Sequence, residues 1–261
     1  MMLNIIDFIK NESNLVLIKI VIMAILIIGL ITLTFVAIKK EKQLNKSERI
    51  KRIAAIAILS SLSYVLYIVK FNLPFIFPSF LEIQFSNVPV LIGGFLYGPI
   101  AGVIIVIVRM ILKIPFTSTA GVGEIADLII GIAIVLVSSL IYQKNKTKKN
   151  AVKSLVVVNI TWTLVGLISN WLFLIPFYIF FYFDGSVEAL VGLLSVIPNI
   201  TVDNYMWKYL LFGNLPFNLV LSTVVNVVTF LVYKRVSFLV HDLGSVTEEE
   251  NKTTEMEISH K

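Results

Sequence analysis

The sequence predicts an all-α integral membrane protein, with one N-terminal transmembrane helix ahead of a bundle of six. Three observations predict it. Apolar residues fill 57% of the 261 positions and charged residues 15%, with a mean hydropathy of +0.92; soluble domains run nearer half apolar and a quarter charged. The apolar residues fall in blocks of about 18 or more, the length a helix needs to cross a bilayer, and not in the alternation of a half-buried strand. The basic residues gather at block ends: of 22 Lys and Arg, seven lie in 39–52, five in 144–153 and two at Lys234–Arg235.

The first block, NLVLIKIVIMAILIIGLITLTFVAI (14–38), is too long for a signal-peptide core and has no small-x-small site after it, so it is expected to be retained. RIAAIAILSSLSYVLYIV (52–69) is the second span, and Pro74 and Pro78 break the loop that follows at 70–87. VPVLIGGFLYG and PIAGVIIVIVRMILKI meet at Tyr97-Gly98-Pro99, where Gly turns the chain and Pro opens the next helix. GEIADLIIGIAIVLVSSLIY (123–142) and 154–183 are further spans. The apolar run in 184–212 is too short to cross and reads as interfacial or re-entrant. The last span is 215–233, followed by a polar tail.

This gives an extra helix at 1–38, a basic linker at 39–51, a six-helix membrane domain at 52–236 and a tail at 237–261. Placing the linker in the cytoplasm puts 144–153, Lys234–Arg235 and the tail there too, while the loops at 70–87, 114–122 and 184–212, poor in Lys and Arg, fall outside. The same distribution assigns the net charge of +6 to membrane lipid and excludes nucleic acid as partner. With no cysteine, disulfides and thiolate sites are excluded. The two histidines, His241 and His260, lie at or beyond the last span, which leaves little for metal or acid–base chemistry.

Polar residues inside such a chain need a reason. The stretch FTSTAGVGEIAD (116–127) joins two spans. GVGEIA matches a dinucleotide fingerprint, but that motif requires a preceding strand, and a membrane helix precedes it here. Two readings stay open. Thr117, Ser118 and Thr119 cap a turn, with Glu124 favoured at a helix N-terminus; or Gly121 and Gly123 let a ligand approach while the hydroxyls and Glu124 bond to it. Asp127, a turn further in, costs about 2.5–3.5 kcal/mol in a membrane unless paired or solvated. An ion pair with Arg109 and a polar cavity wall are the two accounts. Asn170 and Asn218 either bridge helices, worth about 0.6 kcal/mol each, or line a pocket. With Trp171, Phe173, Tyr178 and Phe217 nearby, that pocket suits an uncharged, flat, polyhydroxylated ligand. Ala54, Ala57 and Ser61 form a small-residue stripe on which another helix can pack closely.

At these residues the chain resembles a known family, the substrate-binding S components of energy-coupling factor (ECF) vitamin transporters, and within it the riboflavin type. The resemblance spans about 52–236 and rests on LEIQFSNVPVLIGGFLYGPIAGV (81–103), TAGVGEIADLIIG (119–131), NWLFLIPFY (170–178) and LPFNLV (215–220). It implies a six-helix S-component bundle, here preceded by one extra transmembrane helix. The bundle would hold an outward-facing site capped by 70–87 and carry no ATPase or cofactor of its own. Its implied partners are a transmembrane coupling subunit, docked through the motif matching Ala57 and Ser61, and two cytoplasmic ATPases. Asn170 and Asn218 match the type's binding asparagines. The chain departs from that pattern at Leu221, where a lysine is usual, at Val106 and Met110, where a glutamate and an asparagine are, and at Asp127, where an asparagine is common. The chain has no Walker sequence. The rival readings are an S component for another vitamin, a stand-alone secondary transporter and, last, a membrane enzyme.

Overall fold

The computed structural model describes residues 2–41, 43–233 and 235, with the backbone alone for 2–14. Lys42, Lys234, both histidines and the tail at 237–261 lie outside the described residues. The one-plus-six arrangement is present. Among the described residues, six helical stretches are long and apolar enough to cross a membrane: Leu15–Lys39, Lys46–Ile68, Pro99–Phe116, Val122–Lys144, Lys148–Tyr182 and Tyr205–Tyr233. A shorter helix, Asn87–Tyr97, is the remaining member.

Helix α1 runs Met2–Lys39 and α2 Lys46–Ile68. α2 begins before the expected 52 because Asn45 and Glu48 form a reciprocal capping box: Glu48 N–H donates to Asn45 Oδ1 at 2.8 Å and Asn45 N–H to Glu48 Oε2 at 2.9 Å. Much of the basic linker is therefore helix. After α2, strands β1 (Lys70–Asn72) and β2 (Glu82–Gln84) pair antiparallel, Phe71 opposite Ile83.

Helix α3 (Asn87–Tyr97) has 11 residues, nine of them buried from Asn87 to Phe95. It rises only about 16 Å, half a bilayer core, and is shielded from lipid by its neighbours. Gly98, at φ +93° and ψ 168°, reverses the chain in a region closed to other residues, and Pro99 opens α4 (Pro99–Lys113), which ends in a tight turn at Ile114–Phe116. α5 is Val122–Lys144 and α6 Lys148–Ser169. α6 passes through a π-helical turn, Asn170–Leu174, into α7, Ile175–Tyr182.

The segment at 184–212 divides in two. α8 (Val187–Leu193) puts Leu190 into the main core, where Leu194 and Ile197 join it. The last span then begins at α9 (Tyr205–Lys208), well before the expected 215, and passes through a second π-helical turn at Tyr209–Asn214. Lys208, Gly213 and Asn214 interrupt the hydropathy there, which is why the sequence pattern starts the span too late.

The core gathers Leu91, Phe95, Ile134, Val158, Trp162, Ile175, Tyr209 and Val225 from every helix of the six-helix bundle but α2 and α4. α1 packs on α4 and α5 through a narrow seam: Ala37 sits fully buried among Val90, Ile105, Val106 and Val135, with Leu33 beside it. Replacing Gly98 with Ala, a φ/ψ region that tolerates only glycine, is expected to cost about 1–3 kcal/mol. A fall in melting temperature of the detergent-purified protein measures it; an unchanged value would show that the reversal is not strained.

Candidate functional site

At the end of the bundle away from the basic loops, the 70–87 loop folds over the helices as a lid. Its own Phe77 and Leu81 are buried against the bundle. Phe77 meets Phe217 edge-on with centroids 5.3 Å apart, and Phe80 lies 5.8 Å from Tyr178 and 5.7 Å from Tyr209. Lys70 closes the base of the hairpin on Glu82 at 2.7 Å. Under the lid is a cavity of about 130 Å³.

Of the residues the sequence singled out, Ser118, Thr119, Gly123, Glu124, Asp127, Asn170 and Asn218 line this cavity. Thr117 and Gly121 do not, and their role is in the turn itself. Thr117 Oγ1 donates to Glu124 Oε2 at 2.8 Å and accepts the N–H groups of Thr119 and Gly121 at 3.1 and 3.0 Å. Thr119 Oγ1 donates to the same carboxylate oxygen at 2.6 Å and accepts Gly123 N–H at 3.1 Å. Gly121 sits at φ +87° just before α5, which lets the turn wrap tightly enough for both threonines to reach Glu124. The capping and ligand readings of this hairpin therefore divide by residue. Its threonines satisfy the carboxylate and the backbone, and its inner face forms cavity wall.

Asp127 and Arg109 make no direct ion pair among the described residues. They are joined by a relay: Arg109 Nη1 donates to Ser86 Oγ at 2.6 Å, Ser86 Oγ to Gln84 Oε1 at 2.7 Å, and Gln84 Nε2 to Asp127 Oδ2 at 2.9 Å. The guanidinium also bonds Asn87 Oδ1 at 2.9 Å and stands 5.3 Å from the Tyr67 ring, a cation–π approach. Ser63 Oγ, from α2, holds Ser86 O at 2.7 Å. Arg109 is 1% exposed. A buried guanidinium is tolerable when its donors are met and an opposite charge lies close by.

The two asparagines belong to a second network. Trp162 Nε1 donates to Asn218 Oδ1 at 3.1 Å, and Asn218 Nδ2 to Asn214 O at 2.9 Å and Oδ1 at 3.1 Å. Asn214 Nδ2 donates to Tyr209 Oη at 3.3 Å, Tyr209 Oη to Asn170 Oδ1 at 2.7 Å, and Asn170 Nδ2 to Gly166 O at 2.9 Å. Bridging helices and facing the cavity thus coincide in the same side chains. An amide oxygen accepts two bonds and an amide nitrogen donates two, so Asn170 retains capacity toward the cavity. Gly166 makes room: a Cβ there would lie 2.8 Å from Asn218 Oδ1.

Sequence reasoning missed Tyr209, Asn214, Gln84 and Ser86. Asn214 was within reach, because it stands four residues before Asn218 on one helix face. Trp162, not Trp171, is the cavity tryptophan; Trp171 instead lies 5.4 Å beneath Lys19 of α1. Among the positions that depart from the riboflavin pattern, Leu221 and Asp127 line the cavity, Val106 is buried beside Val90 and Val135, and Met110 is not part of the lining.

The stripe Ala54, Ala57 and Ser61 lies exposed on α2, Ser61 Oγ folding back on Ala57 O at 3.0 Å. Ile53 and Ile58 flank it, 67% and 69% exposed.

The chain is thus a multi-pass helical membrane protein with an aromatic- and amide-lined cavity under a hairpin lid. The family profile described as "ECF transporter, substrate-specific component" matches residues 51–233, and this chain belongs to that family, a non-enzymatic transport subunit. It is 30% identical over 172 residues to "Riboflavin transporter RibU" of Staphylococcus aureus (strain TCH60), covering 66% of this chain and 82% of that protein. It is 28% identical over 171 residues to "Riboflavin transporter FmnP" of Bacillus subtilis (strain 168), covering 64% and 82%. A solved structure described as "Structure and mechanism of the S component of a bacterial ECF transporter" superposes with a TM-score of 0.57 at 28% identity, covering 74% of this chain and 98% of that one.

Arg109→Met is expected to destabilise the protein by about 1–3 kcal/mol, because it removes the donor that Ser86 Oγ and Asn87 Oδ1 accept from and the cation nearest the Asp127 end of the relay. The double variant Arg109→Met/Asp127→Asn should recover part of that loss. Melting curves of the four proteins form the cycle, and additive losses would mean that the relay couples nothing. Thr119→Val, which strips Glu124 of one donor, should cost about 1–3 kcal/mol in the same assay.

Proposed function

We propose that this chain captures riboflavin, or a closely related flavin, in the cavity beneath the 70–87 lid and passes it on while docked to an ECF coupling subunit served by two ATPases. The observation that carries the reading is the cavity itself. Neutral amides at Asn170, Asn214 and Asn218 line it together with the aromatic side chains of Trp162, Tyr178 and Phe217. Flat rings bind against aromatic side chains, and hydroxyls bond to amides without demanding a charged partner. The two relatives named as riboflavin transporters support the same ligand.

At about 130 Å³ the cavity is smaller than the roughly 300–1,000 Å³ of ordinary small-molecule sites. Entry of a flavin therefore requires the lid to move, and its anchors to the bundle are the Phe77 and Phe80 ring contacts and the 3.5 Å approach of Lys70 Nζ to Ser118 Oγ. In the proposed orientation the lid end faces outward and the basic segments face the cytoplasm, following the positive-inside bias. The exposed Ala54–Ala57–Ser61 stripe is the proposed coupling surface, since small residues let a partner helix approach closely.

A specific observation favours a second reading, an S component for another vitamin: Leu221 and Asp127 change the polarity of the wall where the riboflavin pattern has a lysine and an asparagine. The deciding experiment is an absorbance spectrum of the detergent-purified protein, followed by titration of its fluorescence with riboflavin. A co-purifying flavin band, or saturable quenching that is mostly lost in Trp162→Phe, is the expected result. A folded, colourless protein indifferent to riboflavin would transfer the proposal to another vitamin. Asn170→Leu and Asn218→Leu should each weaken binding at least about tenfold if each loses a ligand bond worth about 1.4 kcal/mol. Unchanged affinity in folded variants would remove those residues from the site.

A further inference from the structure

At the opposite end of the bundle lies a larger cavity, of about 590 Å³. It is walled by the end of α1, the start of α2, the α3–α4 reversal and the end of α5. Five cations reach it, Lys40, Lys51, Arg52, Lys144 and Lys146, against two carboxylates, Glu41 and Glu48. Both carboxylates are engaged. Glu41 pairs with Arg52, and Glu48 closes the capping box with Asn45 N–H at 2.9 Å. Among the described residues no ion pair engages the four lysines, and Arg52 Nε is buried without a hydrogen-bond partner.

A positive-inside bias places Lys and Arg at this end, but it gives no reason for them to converge on a concavity. Four like charges held around one cavity repel one another, and an anion within it would relieve that repulsion. α4 also starts at this wall, with Gly98 and Pro99 lining the cavity, so the positive end of a 15-residue helix adds to the field. Beside the charges runs an apolar strip, Leu44, Leu96, Pro99 and Leu140. The volume lies within the range of built small-molecule sites, and basic pockets between transmembrane helices are where phosphate-bearing lipid head groups settle.

We propose that this cavity binds a phosphate group, and that the apolar strip beside the lysines makes an anionic phospholipid its source. The site joins α1 to the six-helix bundle at the basic end, so its occupant would fasten the extra helix where the Leu33–Ala37 seam is narrow.

The test uses the full chain in nanodiscs of neutral phosphatidylcholine, with its melting temperature read by intrinsic fluorescence. Phosphatidylglycerol is then introduced in steps, and in a parallel arm millimolar inorganic phosphate is added against chloride at equal ionic strength. At about 100-fold excess over its dissociation constant, a site ligand should raise the melting temperature by roughly 5 °C. Two variants each remove three positive charges. Lys51→Gln/Lys144→Gln/Lys146→Gln strips the cavity; Lys148→Gln/Lys149→Gln/Lys153→Gln strips neighbours that do not line it. Each is read against its own value in neutral lipid, so a change in basal stability cancels. The proposal expects the cavity variant to lose most of the rise and the neighbour variant to keep it. A rise from phosphatidylglycerol alone identifies the lipid source. A rise from inorganic phosphate that the cavity variant abolishes keeps the phosphate site and assigns it a soluble source. Equal losses in both variants, or no rise with either anion, would overturn it in favour of diffuse surface attraction.

Discussion

The buried Arg109 guanidinium is the constraint on which the lid end of this molecule depends. A cation 1% exposed inside a bilayer-spanning bundle must find donors' partners within reach, because lipid offers none. The chain supplies them from several elements at once. Ser86 and Asn87 come from the junction of lid and α3, Ser63 steadies Ser86 from α2, and Gln84 carries the contact on to Asp127 of α5. Satisfying one charge thus fixes the foot of the lid to three helices besides α4 itself. The β1–β2 hairpin is pinned where it re-enters the bundle and is left to its aromatic contacts elsewhere.

That division makes a lid of the loop. Gln84, Ser86 and Asn87 sit in a polar relay that is costly to break, whereas Phe77 and Phe80 make apolar contacts that a flat ligand's own faces could replace. Opposite them, the chain from Trp162 through Asn218, Asn214 and Tyr209 to Asn170 and the Gly166 carbonyl joins the long α6–α7 span to the last one. Both spans pass through π-helical turns here. Such turns rotate the residues beyond them by the width of an extra residue. The α6–α7 turn begins at Asn170, and the turn in the last span ends at Asn214, four residues before Asn218. One wall of the cavity is therefore hinged and the other is knitted.

The sequence made the architecture legible wherever hydropathy and charge agreed. Span count, the reversal at Gly98-Pro99 and the grouping of polar loops at one end all follow from apolar length and from the spacing of basic clusters. Boundaries were lost where local chemistry overrode hydropathy. The Asn45–Glu48 box starts α2 inside a basic run, and Lys208 and Asn214 interrupt the last span without ending it. In the cavity, Asp127, Asn170 and Asn218 stood out because a polar residue in an apolar run is conspicuous. Ser86 and Gln84 did not, because they lie in a loop where polar residues are ordinary. Their role comes from the fold bringing them between Arg109 and Asp127, a pairing across four segments that no spacing encodes. The threonine hairpin shows the reverse limit: Thr117 and Thr119 are equally polar and two residues apart, yet Thr119 lines the cavity and Thr117 only orders the turn.

The extra helix is the remaining question of economy. A seventh span added to a six-helix subunit has few places to rest. The proposed lid movement needs one end left free, and the proposed coupling surface must stay bare. α1 lies against α4 and α5 and buries little of itself; its most apolar stretch contributes no buried side chain. Among the described residues its fixed points are few, namely Leu33 and Ala37 at the core seam and Lys19 over Trp171, with Glu41, just past its end, on Arg52. Each touches a different level of the bundle, and the Ala54–Ala57–Ser61 face of α2 remains exposed. Since helices in lipid gain no hydrophobic drive from touching, a helix held at so few points owes its place to those points. The contact at the Asn170 level, through Trp171, then lies directly beside the π-helical turn that shapes the cavity wall. The geometry leaves the additional span able to brace the binding end and unable to cover the face on which the proposed coupling depends.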